Sequence, residues 1–204
     1  MDNKKIVVFA SGSGTNFINL YNNISNGRVV LLISNNSMCG AIQYAVDNNI
    51  DYKIINDIRY PNKKFKDRAL QKVLNRHKPD LILLAGYMKK ISKNIVQSYK
   101  YKIMNVHPSL LPKYGGRGFY GIKVHEAVIS SGDFISGVTI HFISEKYDEG
   151  PIILQEEINV KKDDSALSLS KRVLEKEYEL YLNAVNLFCN NKLSIKNNKV
   201  IVHE

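Results

Sequence analysis

Five short runs of nearly continuous apolar residues alternate with segments of helical length in the first half of the chain. They are Lys5–Ala10 (KIVVFA), Val29–Ile33 (VVLLI), Tyr52–Ile55, Leu81–Ala85 (LILLA) and Ile103–Val106. A strand with one face in water alternates apolar and polar residues, whereas a run that is apolar at successive positions has both faces buried. The intervening segments, around residues 15–25, 39–49, 62–77 and 92–99, are long enough for crossover helices. Repeated βα units of this kind predict a doubly wound α/β fold, a mostly parallel sheet with helices on both faces and right-handed crossovers. After residue 106 the rhythm changes. A Pro/Gly-rich loop to Gly121 precedes a predicted helix at 122–131, and Val138–Ile143 with Pro151–Val160 reads as an antiparallel extension. Ser165 then opens a long amphipathic helix to about Cys189, with Leu167, Leu169, Val173, Leu174, Tyr178, Tyr181, Val185 and Phe188 at helical spacing. No linker, repeat or low-complexity block interrupts the 204 residues, which are expected to form a single domain over 1–204.

Lys+Arg 29 against Asp+Glu 19 gives a formal charge of +10. The lysines are scattered among asparagines, so a compositional bias accounts for much of the excess. Nucleic-acid binding calls for a basic stripe interleaved with aromatics or a reading helix, and neither is visible. No apolar run approaches the ~20 residues that span a bilayer, and the N-terminus lacks a secretory cleavage pattern. Cys39 and Cys189 stand far apart in sequence, which supports neither a disulfide framework nor a cysteine zinc site. The expectation is a cytoplasmic protein without nucleic-acid or membrane partners, a monomer or weak homodimer.

Two motifs carry chemistry. SGSGTN (Ser11–Asn16) follows the first strand and opens the first helix, where helix N–H groups and glycine amides converge on an anion. A dinucleotide fingerprint needs a third glycine where Phe17 stands, and a nucleoside triphosphate loop needs Gly-Lys-Ser/Thr where Thr15-Asn16 stands. A phosphomonoester fits; a plain strand-to-helix turn with Ser or Thr capping is the competing reading. NVHPSLLPKYGG (Asn105–Gly116) falls at the carboxyl end of the fifth predicted strand, where open α/β sheets bind ligands. Residues two apart on a strand share a side, so Asn105 and His107 project together. Asp148, in the Gly-terminated turn of HFISEKYDEGPII, can approach the same place.

An amide, an imidazole and a carboxylate suit acyl transfer without a covalent enzyme intermediate. The amide donates to the oxyanion of a tetrahedral intermediate, the imidazole donates a second bond or a proton, and the carboxylate favours the charged imidazole. A serine triad through Ser109 lacks the G-x-S-x-G elbow. A metal site from His107, His125, His141 and Asp148 lacks ligand spacing, and His125 and His141 read as packing or hydrogen-bonding residues.

With SGSGTN, LAGYMKKIS (Leu84–Ser92), NVHPSLLPKY (Asn105–Tyr114) and GVTIHFISEKYDEGPIILQ (Gly137–Gln155) in this order, the chain resembles the phosphoribosylglycinamide formyltransferases, folate-dependent enzymes of purine synthesis, over nearly its whole length. The resemblance implies formyl transfer from 10-formyltetrahydrofolate, a co-substrate, to the glycinamide amine of the ribotide, with no metal. By the family pattern Asn105 polarises the formyl oxygen, His107 is the proton donor and Asp148 supports the charged histidine. Gly14, Thr15 and Asn16 match the phosphate loop, and Leu174, Glu175, Lys176 and Glu177 match a ribotide-holding helix segment. Folate binding is implied for Lys63, Met88, Lys89, Lys90, Ile91, Asn105, Ser144, Glu145, Lys146, Tyr147 and Asp148. Lys63 replaces a common arginine, so the bidentate geometry is lost. Tyr178 and Leu182 depart from the family's commoner histidine and proline. Methionyl-tRNA formyltransferase and formyltetrahydrofolate hydrolase are similar around the same trio. The first adds a C-terminal tRNA domain for which the residues after the long helix leave no room, and the second an N-terminal regulatory domain, whereas here the first strand begins at about Lys5. The hydrolase remains the alternative, followed by a non-catalytic anion- or nucleotide-binding module.

Overall fold

The computed structural model describes residues 3–203. Its seven main strands are hydrogen-bonded in the order β3-β2-β1-β4-β5-β6-β7, and β8-β9 form a separate hairpin. The chain divides into two compact units, one ending at Met104 and one beginning at Asn105.

The first unit holds β1 (Lys4–Phe9), α1 (Thr15–Asn23), β2 (Gly27–Ser34), α2 (Gly40–Asp47), β3 (Tyr52–Ile54), α3 (Lys63–His77), β4 (Leu81–Leu84) and α4 (Lys93–Ser98). β1 pairs in parallel with both β2 and β4, and β2 with β3, as expected, but β3 lies at the sheet edge with Tyr52 and Lys53 exposed, so it is not the doubly buried strand that the sequence suggests. Ile6 to Phe9 and Leu81 to Leu84 are buried at every position. Phe17 and Leu20 of α1 and Leu74 of α3 are fully buried beside them. A side chain such as Phe9 in this core carries enough packing that truncation to alanine costs about 3–5 kcal/mol. Helix ends follow local chemistry. Asn62 caps α3 by accepting from the backbone N–H groups of Lys64 and Phe65.

The second unit begins within β5 (Ile103–His107) and continues through α5 (Ile122–Ser131), β6 (Ile135–Phe142), β7 (Ile152–Asn159), α6 (Ala166–Cys189), β8 (Leu193–Lys196) and β9 (Lys199–Val202). β6 and β7 are antiparallel, as expected. β6 starts three residues before the expected Val138, because Ile135 and Ser136 continue the ladder opposite Asn159 and Ile158. α6 packs against α5, β6 and β7 through Leu169, Val173, Tyr181, Ala184 and Val185, while Leu167, expected on the same apolar face, lies exposed in the first turn. Its start is fixed by a capping box in which Ser165 and Ser168 bond each other's backbone N–H, and Arg172 pairs with Asp164 just before it. The β8–β9 hairpin was not anticipated. Asn197 and Asn198 both adopt positive φ, 50° and 59°, which matches the two-residue turn of a tight hairpin.

Candidate active site

In the second unit the amide, imidazole and carboxylate singled out in the sequence converge. Asn105 and His107 occupy the third and the last of the five positions of β5. His107 is 4 % exposed, and its Nε2 lies 2.8 Å from the carbonyl oxygen of Tyr114. A carbonyl only accepts, so Nε2 carries a proton and Nδ1 is the nitrogen left for acid–base work. Nδ1 stands 3.8 Å from Asp148 Oδ2. The Tyr114 carbonyl is itself braced, because the Tyr114 hydroxyl and Lys113 Nζ both donate to Asp133 Oδ2, at 2.8 and 2.5 Å. That pairing holds the Asp133 carboxyl below, and the Lys113 ammonium above, its usual range.

Asp148 sits in the β6–β7 turn at φ 53°, an uncommon left-handed conformation for a non-glycine residue, and the Gly116 N–H donates to its Oδ2 at 2.9 Å. Two residues on, a Cβ at Gly150 would lie 1.6 Å from the Phe142 carbonyl oxygen, so only glycine closes this turn. The loop after β5 is anchored from below. Thr139 Oγ1 donates to the Ser109 carbonyl at 2.6 Å and accepts from Leu111 N at 3.0 Å. Ser109 is buried with its hydroxyl donating to the Lys113 carbonyl at 2.6 Å, which occupies it as a loop staple.

His141, read from sequence as a packing or hydrogen-bonding residue, belongs to this cluster. It is 1 % exposed; its Nδ1 lies 3.0 Å from the Phe142 carbonyl oxygen, and its Nε2 3.2 Å from Asn105 Nδ2 and 3.7 Å from Asp148 Oδ1. Burial pushes its pKa down, partly opposed by the Phe142 carbonyl and the Asp148 charge. The available signal was its position: it lies two residues from Thr139 on a mostly apolar strand, hence on the same side as the residue that holds the loop. His125 on α5 is also buried; desolvation, reinforced by the positive charge of His107, lowers its pKa to about 4.

The remaining expected residues of this unit lie on α6 and on the turn. Lys176 Nζ contacts Glu156 Oε1 at 2.9 Å and Glu179 Oε2 at 3.1 Å, so its charge is already matched by two carboxylates. Leu174 and Glu177 are half-buried and Glu175 is exposed. Ser144 folds back on Lys146, and Lys146 pairs with Glu149, leaving Glu145 and Tyr147 exposed on the turn before Asp148.

In the first unit, the glycine loop opens α1 with Gly14 as the N-cap at φ 83° and no side-chain cap, so the expected alternative of Ser or Thr capping is absent here. A Cβ at Gly14 would meet Ala41 Cα at 2.7 Å. Thr15 is exposed and Asn16 buried at the first turn. Ser11 Oγ donates to Asn35 Oδ1 at 2.5 Å and accepts from Met88 N at 2.9 Å, tying the expected folate segment to the glycine loop. Met88, Lys89 and Lys90 are exposed and Ile91 is buried, with Lys89 3.7 Å from Asp57. Lys63 stands at the start of α3, exposed, lining a groove of about 590 Å³ with Lys64, Arg68, Gln71 and Ser92. Among the described residues no group of three or more His, Cys, Asp or Glu side chains is arranged to hold a metal ion, and no helix is long and apolar enough to cross a membrane.

A model of the formyl transferase family matches residues 4–185. A chloroplastic phosphoribosylglycinamide formyltransferase of Arabidopsis thaliana is 42 % identical over 195 residues, an alignment covering 93 % of this chain and 67 % of that protein. The corresponding protein of Vigna unguiculata is 40 % identical, with 93 % and 62 % covered, so the chain spans about two thirds of the length of these plant relatives. The crystal structure of glycinamide ribonucleotide transformylase 1 from Symbiobacterium toebii superposes with a TM-score of 0.90 at 31 % identity, covering 98 % of this chain and 94 % of that one. A formyltetrahydrofolate deformylase from Pseudomonas syringae shares the fold, with a TM-score of 0.88 at 21 % identity over 99 % of this chain and 66 % of that chain.

Proposed function

The chain belongs to the formyl transferase family, and on that premise we propose that it transfers the formyl group of 10-formyltetrahydrofolate to the glycinamide amine of phosphoribosylglycinamide in purine biosynthesis. The observation that carries this reading is the trio at the end of β5, with a donor amide on Asn105 and His107 Nδ1 turned toward Asp148.

The amine nitrogen attacks the formyl carbon, and the carbonyl electron pair moves onto the formyl oxygen. A neutral C=O becomes an oxyanion in this step, so donors aimed at it are worth more in the transition state than in the ground state. Asn105 supplies one N–H, and His107, protonated at Nδ1, the other. Collapse breaks the bond from the formyl carbon to N10 of the folate; His107 delivers its proton to that nitrogen, and Asp148 assists removal of a proton from the attacking amine. The negative charge of Asp148 opposite Nδ1 supports the imidazolium that the first step needs. The oxyanion is thus met by an amide and an imidazolium, and no step is assigned to a metal.

Gly14, Thr15 and Asn16 take the ribotide phosphate in this reading, supported by an α1 N-terminus that no side chain caps. Leu174, Glu175, Lys176 and Glu177 hold the rest of the ribotide, with Lys176 acting through its carboxylate partners rather than as a phosphate cation. Lys63, Met88, Lys89, Lys90 and Ile91 contact the folate together with Asn105 and the Ser144–Asp148 turn. A single formyltransferase domain over 1–204, a cytoplasmic location and a monomeric or weakly dimeric state complete the proposal. The test supplies 10-formyltetrahydrofolate with glycinamide ribotide, with Met-tRNA, or with no acceptor. Folate consumption that requires the ribotide is the expected result; consumption at the same rate without any acceptor would make the protein a hydrolase.

A further inference from the structure

We infer that His141 is a positioning residue, locked in one neutral tautomer so that its Nε2 lone pair holds the Asn105 carboxamide with its N–H group facing the reacting formyl oxygen. The inference rests on the reading of Asn105 as a donor to that oxygen and adds what orients the donor.

The argument starts from the Phe142 carbonyl. Lying 3.0 Å from His141 Nδ1, it can only accept, so Nδ1 carries a proton. In a neutral ring Nε2 is then a lone pair, and the group 3.2 Å from it must donate. Of the two ends of the Asn105 carboxamide only the NH₂ can do so. One of its hydrogens is therefore spent on His141, and the second N–H is fixed in the plane of the amide, free of the rotational choice that an Asn side chain otherwise has. A donor held before the reaction costs no reorganisation when charge develops, which is the condition for effective oxyanion stabilisation.

Protonation of His141 would reverse this arrangement. Both ring nitrogens would donate, Nε2–H would be drawn to Asp148 Oδ1, now 3.7 Å away, and Asn105 would have to present its oxygen and turn its N–H groups away. It would also divide the Asp148 carboxylate between two cations. The charged and titratable groups facing the ring are Asp148 and His107. Asp148 favours a charged ring, whereas His107 and, above all, burial oppose it. The two rings are pinned in opposite senses, a backbone carbonyl fixing a proton on Nε2 of His107 and on Nδ1 of His141.

The experiment has two arms. Nitrogen-15 NMR of the wild-type protein labelled at histidine should show His141 with a protonated Nδ1 and a lone-pair Nε2 across roughly pH 6–8. An imidazolium at neutral pH, or the opposite tautomer, overturns the inference. In the second arm, His141→Leu removes the acceptor, and His141→Gln returns one as a side-chain carbonyl. Loss of one preorganised donor costs about 10²–10³ in kcat; His141→Leu should fall in that range with both KM values within about 3-fold, and His141→Gln should regain at least about tenfold. In an Asn105→Ala background, His141→Leu should cost nothing further, because its effect passes through Asn105. Equal losses in both backgrounds overturn the positioning role. An inactive wild-type protein that still shows the stated tautomer would count against the proposed reaction and not against the pairing.

Discussion

Thr139 and Gln155 face each other across the β6–β7 ladder and together bind the Ser109 carbonyl and both backbone polar groups of Leu111, in the loop that follows Asn105 and His107. Thr139 Oγ1 makes three bonds, the most a hydroxyl can make: it donates to the Ser109 carbonyl and accepts from Leu111 N and from Gln155 Nε2 at 2.8 Å. The second Gln155 hydrogen goes to the Leu111 carbonyl at 3.1 Å. Thr139→Val keeps the shape but leaves a buried N–H and a buried carbonyl without this partner, each costing about 1–3 kcal/mol. The expected outcome is a melting temperature lower by about 2–4 °C for each kcal/mol lost, together with reduced kcat as the loop carrying Tyr114 relaxes. An unchanged melting curve would show that the loop is held elsewhere.

Asp148→Asn separates charge from geometry. The Asn carbonyl oxygen can still accept from Gly116 N–H, the bond that anchors the turn, while the negative charge opposite His107 Nδ1 disappears. Proton transfer by a positioned group contributes about 10²–10⁴ in rate. The variant should lose activity within that range, with a melting temperature close to wild type. Near-normal kcat would remove Asp148 from the mechanism, and a large fall in stability would make it a structural residue of the turn.

How much of this was legible in the sequence depends on whether the signal was local. The runs forming β1, β4 and the start of β5 announce themselves because a strand buried on both faces has no polar position to spare, and Ile6–Phe9 is the plainest case, whereas the edge strand β3 leaves Tyr52 and Lys53 exposed. Asn105 and His107 were legible for the same reason, as polar residues ending such a run. The β8–β9 hairpin was missed although Asn197-Asn198 tolerates the positive φ its turn demands, because Leu193, Ile195, Val200 and Val202 are too few and too exposed to read as a core strand pair. His141 escaped for a different reason. Its role lies in which nitrogen meets which partner, and the partner is 36 residues away in sequence. No periodicity carries that information.

His125 predicts the direction of the acid response. Its pKa falls from the ordinary ~6.5 in the unfolded chain to about 4 in the folded one, so between those values the unfolded state binds the extra proton. Stability therefore rises with pH across roughly pH 4 to 6.5; the full contribution is present above that window and is lost as pH falls through it. His125→Phe removes the titrating group and the buried Nδ1 that lacks a hydrogen-bond partner. Urea unfolding at several pH values should show a shallower decline toward pH 4 for the variant than for the wild type. Parallel curves would mean that His125 titrates alike in both states.

Gly14 and Gly12 lie in the same loop but answer to different constraints, which makes them a matched pair for the phosphate assignment. Gly14 has φ 83°, and any Cβ there would press on the Ala41 backbone at 2.7 Å, so Gly14→Ala must shift α1 against α2. At Gly12 a Cβ meets nothing within 4 Å. Gly14→Ala is expected to lower the melting temperature and to raise the ribotide KM well above any change in the folate KM, because the first-turn N–H groups move with the helix. Gly12→Ala should leave the melting temperature alone, and its kinetics then report the ligand without the packing. A Gly12→Ala rise confined to the ribotide KM would place the phosphate against this loop. If Gly14→Ala alters both KM values equally and Gly12→Ala alters neither, the glycines serve the turn and the packing of α2, and the phosphate must be held by other residues.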